Sequence, residues 1–287
     1  MKRNRVYFWM FVGPCLLAFI IVVIIPLLFG IYYSFTNWNG INAELDFIGL
    51  SNYSKLLKDN HFVKSFVFTI KFTAVSVFLI NLIGFLLALL VTRGLKISNF
   101  FRTVFFMPNL IGGIILGFIW QFIFVSAFGA LGEYTGQMWL MGWLSTTETS
   151  FWGLVILMAW QLSGYVMVIY IAAIQGIPRE LIEAAEIDGA SSWKRVKNIV
   201  LPLVRPAFTV SLFLTLSNSF KLYDQNLSLT AGGPARSTEM LAMNIYNTAF
   251  SFLKMGEAQA KAVLFLIIVG FFTLSQVYVS KRGEVEM

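Results

Sequence analysis

Polar side chains occur in and beside two strongly apolar segments, and their types suit the binding of a polyhydroxylated solute. They are Trp160, Gln161 and Tyr165 in the first segment, and Thr215, Asn218, Ser219, Tyr223 and Asp224 in or just after the second. Hydroxyl and amide groups can hydrogen-bond to the hydroxyls of a sugar, and an aromatic ring offers a flat apolar surface to its C–H groups. For each residue the alternative is a hydrogen bond between helices, and Lys221 and Asp224 could pair with each other.

Residue combinations that catalyse reactions do not occur in the sequence. A hydrolytic membrane enzyme needs a serine with a buried base, or a metal held by several His, Asp or Glu ligands. The sole histidine, His61, lies between apolar segments, and no acidic pair lies inside one. A Walker-type phosphate loop requires Gly-Lys, which is also missing. We therefore predict a chain that is not an enzyme and that binds no metal or cofactor of its own.

The composition places these residues in a membrane protein. Of the 287 residues, 58% are hydrophobic and 12% charged, with a mean hydropathy of +0.77, whereas about a quarter of the residues in a soluble domain are charged. Apolar runs long enough to cross about 30 Å of hydrocarbon occur at residues 6–35, 66–92, 103–125, 151–175, 207–223 and 262–280. We therefore expect an all-α membrane protein with six transmembrane helices and a single domain over residues 1–287. Pro14, Pro26 and Pro108 lie inside these runs and predict kinks.

The distribution of positive charge predicts the orientation in the membrane. Of the 21 Lys and Arg residues, 13 fall in segments that share one side with the N-terminus: Lys2, Arg3, Arg5, Arg93, Lys96, Arg102, Arg179, Lys194, Arg195, Lys197, Arg205, Lys281 and Arg282. The segment 126–150 has none. The positive-inside rule therefore places both termini in the cytoplasm. This rule, rather than nucleic-acid binding, accounts for the net charge of +7.

The longest inner loop, residues 176–206, carries the start and stop signals of two short helices. Pro178 suits a first helical turn, Gly189 accepts a positive φ after Asp188, and Ser191 or Ser192 can cap a second helix. In the first helix, Leu181, Ala184 and Ala185 form a small apolar patch. A short rigid helix with alanines can dock into a groove on another protein. The alternative is an ordinary amphipathic surface loop.

The same loop carries a motif with fixed spacing. Glu183-Ala184-Ala185 is followed after three residues by Gly189, and after nine more by Ile199-Val200-Leu201-Pro202. This pattern resembles the binding-protein-dependent permeases of ATP-binding cassette (ABC) importers. The outer segment with Gly232-Gly233-Pro234 is similar to the carbohydrate-uptake branch of that family, and so is the opening of the chain.

The resemblance implies a type I ABC importer architecture and assigns residues 176–206 as a coupling loop. The expected ATPase-coupling residues are Glu183, Ala184, Ala185, Asp188, Gly189, Leu201 and Pro202. The expected partners are a second permease in a heterodimer, two ATPase subunits that bind ATP and Mg²⁺, and an extracytoplasmic solute-binding protein. The protein would lie in the bacterial cytoplasmic (inner) membrane.

The implied activity is translocation of a di- or oligosaccharide by alternating access. A permease for glycerol phosphate or another polar solute is the alternative within the family. A secondary carrier or channel is the alternative of a different class, and dependence of uptake on ATP separates it from an ABC importer.

Overall fold

A computed structural model describes residues 2–42, 44–93 and 97–282, with side chains from Tyr7 onward. Of the basic residues that predict orientation, Lys96 and the side chains of Lys2, Arg3 and Arg5 lie outside the described residues. The described helices are α1 Lys2–Phe19, α2 Ile25–Tyr33, α3 Ser51–Leu56, α4 Asn60–Val91, α5 Ser98–Phe106, α6 Gly113–Phe122, α7 Phe128–Thr135, α8 Thr147–Gln175, α9 Arg179–Ile187, α10 Ser192–Arg195, α11 Leu201–Leu203, α12 Arg205–Phe220, α13 Asp224–Thr230, α14 Leu241–Tyr246 and α15 Met255–Lys281. Those residues contain no β-strand, only an isolated bridge between Thr36 and Phe47.

The helices confirm the all-α membrane class. Five apolar helical stretches in the described residues are long enough to cross a bilayer: Tyr7–Tyr33, Asn60–Val91, Gly113–Thr135, Thr147–Gln175 and Met255–Lys281. A sixth span results if Ser192–Leu203 and Arg205–Phe220 count together, although they meet at 69°. α12 alone has 16 residues, about 24 Å of helix, and it ends before Tyr223, which the sequence places inside this span.

The third span begins ten residues later than the sequence predicts. α5 ends at Phe106 and is followed by a 3₁₀ turn at Met107–Leu110 and by extended backbone at Ile111. The long apolar helix starts only at Gly113. Pro108 has no N–H to donate and therefore favours this break. By contrast, helical backbone continues through Pro14 within α1 and through Pro26 at the start of α2.

Two compact units share the chain: residues 64–243 with 268–287, and residues 1–63 with 244–267. The expectation of a single domain therefore stays a prediction. The first of these units is centred on α8, and 72% of the apolar stretch of that helix is buried. At Gly164, a Cβ atom would lie 1.7 Å from the carbonyl oxygen of Phe105, so α5 packs backbone against backbone on α8. Gly117 on α6 packs against the side chain of Ser228 on α13, where a Cβ atom would lie 1.8 Å from Oγ.

The other unit joins α2 and the following loop to the first part of α15. A Cβ atom at Gly256 would lie 2.1 Å from the carbonyl oxygen of Thr36, and the N–H of Gly256 donates to the carbonyl of Trp38 at 2.8 Å. The Asn52 amide donates to the carbonyls of Ser34 and Thr36, both at 2.9 Å. These two bonds tie the start of α3 to the backbone that follows α2.

A buried lysine completes this unit. Lys261 is 2% exposed, and its Nζ lies 3.0 Å from Asp59 Oδ2, 3.3 Å from Glu257 Oε1, 3.1 Å from Asn244 Oδ1 and 3.0 Å from Thr248 Oγ1. Burial alone would raise the pKa of Asp59, but the bond to Lys261, its charge and the N–H groups of Phe62 and His61 lower it below the ordinary value. The ion pair therefore stabilises the folded protein at neutral pH. This stabilisation is lost as the pH falls through the lowered pKa of Asp59.

Candidate functional site

Polar residues converge where α12 ends and α13 begins. Residues 221–223 are not helical, and α13 resumes at Asp224. α13 packs on α6, where Cβ atoms at Gly113 and Gly117 would lie within 3 Å of Asp224 and Ser228 side-chain atoms. These two glycines are four residues apart and so share one face of α6, which lets α13 approach closely. The packing fixes Asp224 and Gln225 beside α8.

A cleft of about 400 Å³ opens between these elements. Five predicted solute-binding residues line it: Gln161, Tyr165, Asn218, Tyr223 and Asp224. The cleft also contains Asn109, Lys221 and Gln225 as polar groups, with Met158, Leu162 and Leu222 as apolar wall. The size is suited to a small organic solute.

Hydrogen bonds orient one side of the cleft. Gln225 Nε2 donates to Gln161 Oε1 at 2.9 Å, and Gln161 Nε2 donates to the carbonyl of Ile111 at 3.3 Å. That carbonyl lies in the break that precedes α6. The break before α6 thereby positions the Gln161 side chain of α8.

Other polar groups of the cleft have no protein partner within the described part of the chain. They are the side chains of Asn109, Tyr165, Asn218, Lys221 and Asp224. Lys221 and Asp224 are both exposed and form no ion pair with each other among the described residues, so the alternative interpretation of these two residues is not observed. The cleft therefore offers one cation, one anion, two amides and a phenol for a ligand.

Three predicted residues lie away from the cleft lining. Thr215 accepts a bond from Asn81 Nδ2 at 3.0 Å and donates to the carbonyl of Ser211 at 2.8 Å. Ser219 is fully buried, and its Oγ lies 3.9 Å from Met158 Sδ. Trp160 is 45% exposed and packs edge-on against Trp120. Around the axis of α12, Thr215 lies about 60° and Ser219 about 100° from Asn218. Both point into the protein core, whereas Asn218 lines the cleft.

The contacts of Thr215 belong to a buried network between α4, α8 and α12. The Tyr170 hydroxyl lies 2.7 Å from both Asn81 Oδ1 and Ser211 Oγ. Phe85 and Phe208 pack on the Tyr170 ring, with centroids 5.5 and 4.6 Å away. For Thr215 the structure thus shows the interhelical hydrogen bond that was the alternative interpretation.

The sequence prediction missed Asn109, Lys221 and Gln225 as members of the cleft lining. Asn109 follows Pro108, and a polar residue directly after a proline in an apolar run is a signal for a broken span. Lys221 and Gln225 flank the predicted residues Tyr223 and Asp224 in the sequence. A prediction of helix ends at Asn109 and just before Lys221 would have grouped these three residues with the predicted ones.

The coupling loop contains two short helices, as predicted. α9 is followed by Gly189 with φ +73°, the Ser191 side chain caps α10 by accepting from the N–H of Lys194 at 3.4 Å, and Arg195 pairs with Glu186 across the turn. Glu183, Ala184, Asp188, Gly189 and Leu201 are exposed, whereas Ala185 and Pro202 are partly buried. Ile182 and Glu186 face a cavity of about 1010 Å³ that also contacts the ends of α4 and α8.

Similar proteins share this organisation over nearly the full chain. The chain is 56% identical over 285 residues to the probable starch degradation products transport system permease protein AmyD of Thermoanaerobacterium thermosulfurigenes, covering 99% of this chain and 97% of AmyD. It is 31% identical to the multiple sugar-binding transport system permease protein MsmF of Streptococcus mutans, covering 98% of each chain.

A solved structure shows the same fold. It is a chain of a bacterial alginate ABC transporter in complex with an alginate pentasaccharide-bound periplasmic protein, with TM-score 0.84, 19% identity and coverage of 98% of this chain and 96% of that one. Residues 80–283 also match the family described as binding-protein-dependent transport system inner membrane component. With the motif and the helical architecture, these matches show that the chain belongs to that family, the permease subunits of ABC importers.

Proposed function

We propose that this permease translocates a neutral di- or oligosaccharide across the membrane through the cleft between α8, α12 and α13. Asn109, Tyr165 and Asn218 line the cleft without a hydrogen-bond partner among the described residues, and this observation carries the proposal. Amide and phenol groups match sugar hydroxyls as donors and acceptors. Tyr165 and Tyr223 add aromatic surface for the C–H faces of the rings.

The charges in the cleft favour a neutral solute over glycerol phosphate. Lys221 supplies one positive charge, and Asp224 supplies one negative charge in the same cleft. A phosphate of about two negative charges would be attracted by Lys221 and repelled by Asp224, so the cleft has no net positive charge to match it. The relatives named for starch degradation products and for multiple sugars support a sugar as well.

The partners proposed for this chain follow from the family and from the coupling loop. They are a second permease in a heterodimer, two ATPase subunits carrying ATP and Mg²⁺, and an extracytoplasmic solute-binding protein. In this assembly Glu183, Ala184, Ala185, Asp188 and Gly189 contact the ATPase subunit, with Leu201 and Pro202 behind them. Closure of the ATPase subunits would move the coupling loop and drive alternating access.

Asn218→Leu tests the cleft. The substitution keeps approximate volume but removes an amide that faces the cleft, so solute affinity in uptake should weaken by about 1 to 3 kcal/mol. Phe213→Leu is the matched control on the same helix, because Phe213 is 40% exposed and outside the cleft. The measurement is the concentration dependence of uptake of a panel of sugars, together with solute-stimulated ATPase activity.

Thr215→Val tests the buried network around Asn81 rather than the cleft. It removes the hydroxyl that accepts from Asn81, so it should lower the thermal stability of the purified protein more than it changes solute selectivity.

Wild-type affinity and selectivity in Asn218→Leu would contradict the cleft proposal. Uptake that continues without ATP would contradict the importer proposal and favour a secondary carrier.

Cysteine labelling tests the proposed orientation, with both termini cytoplasmic. Ser145 and Ser192 are both exposed in the structure, and a Cys15→Ser background leaves no other thiol in the chain. An impermeant thiol reagent added to intact cells should label Ser145→Cys and should label Ser192→Cys only after the cells are opened. Labelling of Ser192→Cys in intact cells would contradict the proposed orientation and favour the opposite one.

A further inference from the structure

Four polar residues form a closed ring of hydrogen bonds between α4, α8 and α12. Asn81 Nδ2 donates to Thr215 Oγ1 at 3.0 Å, and Thr215 Oγ1 donates to the Ser211 carbonyl at 2.8 Å. Tyr170 Oη donates to Asn81 Oδ1 at 2.7 Å, which leaves the Ser211 hydroxyl to donate to Tyr170, also at 2.7 Å. Each residue of the ring therefore bonds to two others.

The ring fixes how α8 lies against α12 and α4. None of its four residues is more than 5% exposed. In such an apolar interior a hydrogen bond is strong, and a hydroxyl or amide that loses its partner is costly. A shift of α8 along α12 by one residue, about 1.5 Å, would break the bonds between these helices. The three helices are therefore held in a single register.

The position of the ring joins the solute cleft to the coupling loop. α8 carries Tyr165 in the cleft and ends at Gln175, directly before that loop. α12 begins at Arg205, where the loop ends, and carries Asn218 in the cleft. Tyr170 is five residues from both Tyr165 and Gln175, about 7.5 Å along the helix in each direction. The ring thus connects the two helices about halfway between cleft and loop.

Nearer the cleft, the contacts between these helices are weaker in direction. Ser219 Oγ on α12 lies 3.9 Å from Met158 Sδ on α8, and a thioether sulfur is a weak acceptor. Just beyond α12, residues 221–223 are not helical. With such contacts alone, a displacement of the coupling loop would be taken up by sliding between α8 and α12 before it reached the cleft.

We propose that Tyr170 is a positioning residue that couples the solute cleft to the coupling loop. Its hydroxyl holds α8 and α12 in one register against α4, so a displacement of the loop moves Tyr165 and Asn218 as well. This inference rests on the proposed importer function. It adds a fully buried residue, which acts through other side chains and not by contact with the solute.

Tyr170→Phe in the complete importer, reconstituted with its solute-binding protein, tests this role. The substitution keeps the ring of the side chain and removes the hydroxyl. Maximal uptake and the stimulation of ATPase activity by solute should fall at least about fivefold, whereas the half-saturating solute concentration should change by less than about twofold. Asn218→Leu should show the opposite pattern. Uptake by the wild type without ATP would contradict the importer function itself, so the two failures are distinguishable.

Phe85→Leu is the matched control for a merely structural effect. Phe85 packs on the Tyr170 ring with centroids 5.5 Å apart but has no polar side-chain atom, so its loss should lower the thermal midpoint with ATPase stimulation close to wild type. Thr215→Val opens the hydrogen-bonded ring at another bond and should share the loss of stimulation. Because both changes break one ring, the double variant should lose no more than either single variant.

Equal loss of stimulation in Phe85→Leu, or wild-type stimulation in both Tyr170→Phe and Thr215→Val, would overturn the proposal. Spin labels provide a test that needs no substitution in the ring. Val168 on α8 and Val210 on α12 are 41% and 50% exposed, and Cys15→Ser removes the native thiol. Labels at Val168→Cys and Val210→Cys should give one distance with and without ATP and vanadate. A distance that differs between these conditions would show that α8 and α12 do not move as one unit, which also overturns the proposal.

Discussion

Gly189→Val should reduce solute uptake by at least about fivefold while leaving the protein in the membrane. Gly189 has φ +73°, and a Cβ atom there would meet no atom within 4 Å, so the substitution acts only through the backbone. Holding a branched residue in this conformation costs about 1 to 3 kcal/mol, enough for a fivefold to hundredfold loss of the correctly turned loop. The measurement is sugar uptake by cells together with solute-stimulated ATPase activity of the reconstituted importer.

Gly136→Val is the matched control for this prediction. Gly136 also follows a helix, has φ +70° and leaves open space for a Cβ atom, but it lies at the end of α7 rather than in the coupling loop. It should carry the same backbone strain with uptake close to that of the wild type. Normal coupling in Gly189→Val, or equal loss in both variants, would contradict a specific role of the turn.

Gly164→Ala should prevent stable folding of the protein. The added Cβ atom would lie 1.7 Å from the carbonyl oxygen of Phe105 and 2.9 Å from the N of Phe106, so α5 must leave α8. Because the clash is with backbone, no rotamer relieves it, and we expect a loss of at least about 3 kcal/mol. The measurement is the yield and thermal midpoint of detergent-purified protein by size-exclusion chromatography.

Gly270→Ala makes the same chemical change with the opposite expected result. Gly270 lies inside the apolar helix α15, and a Cβ atom there would meet nothing within 4 Å. Alanine is favoured over glycine within a helix by about 0.5 to 1 kcal/mol, so the thermal midpoint should stay the same or rise. A stable Gly164→Ala protein would show that α5 does not contact α8 at this glycine.

Hydropathy located four of the five long apolar helices well but placed the third too early. Between Thr103 and Val125 the sequence has no charged residue, so its mean hydropathy indicates one continuous span. The break at Met107–Ile111 depends on Pro108 and on the Ile111 carbonyl accepting from Gln161. That partner lies 50 residues away and cannot be found from local composition.

The coupling loop was more predictable than the cleft because its structure is local. Gly189, the Ser191 cap and the pair between Arg195 and Glu186 all lie within ten residues of each other. The cleft depends instead on which way α12 faces. Thr215 and Asn218 both lie on α12, but the Thr215 hydroxyl accepts a hydrogen bond from Asn81 on α4 in the buried core, and the sequence does not show this contact.

The Lys261 cluster has a consequence for the order in which the chain can assemble during translation. Lys261 and Asp59 are separated by 202 residues, and Gly256 supplies the N–H that the Trp38 carbonyl accepts. The ribosome delivers the N-terminal 63 residues long before α15 emerges, so this unit is finished only at the end of synthesis. Nascent chains halted before residue 255 would lack Lys261 and Gln259, so the Asp59 carboxylate would have lost its ion-pair partner and Gly30 the side chain that packs on it.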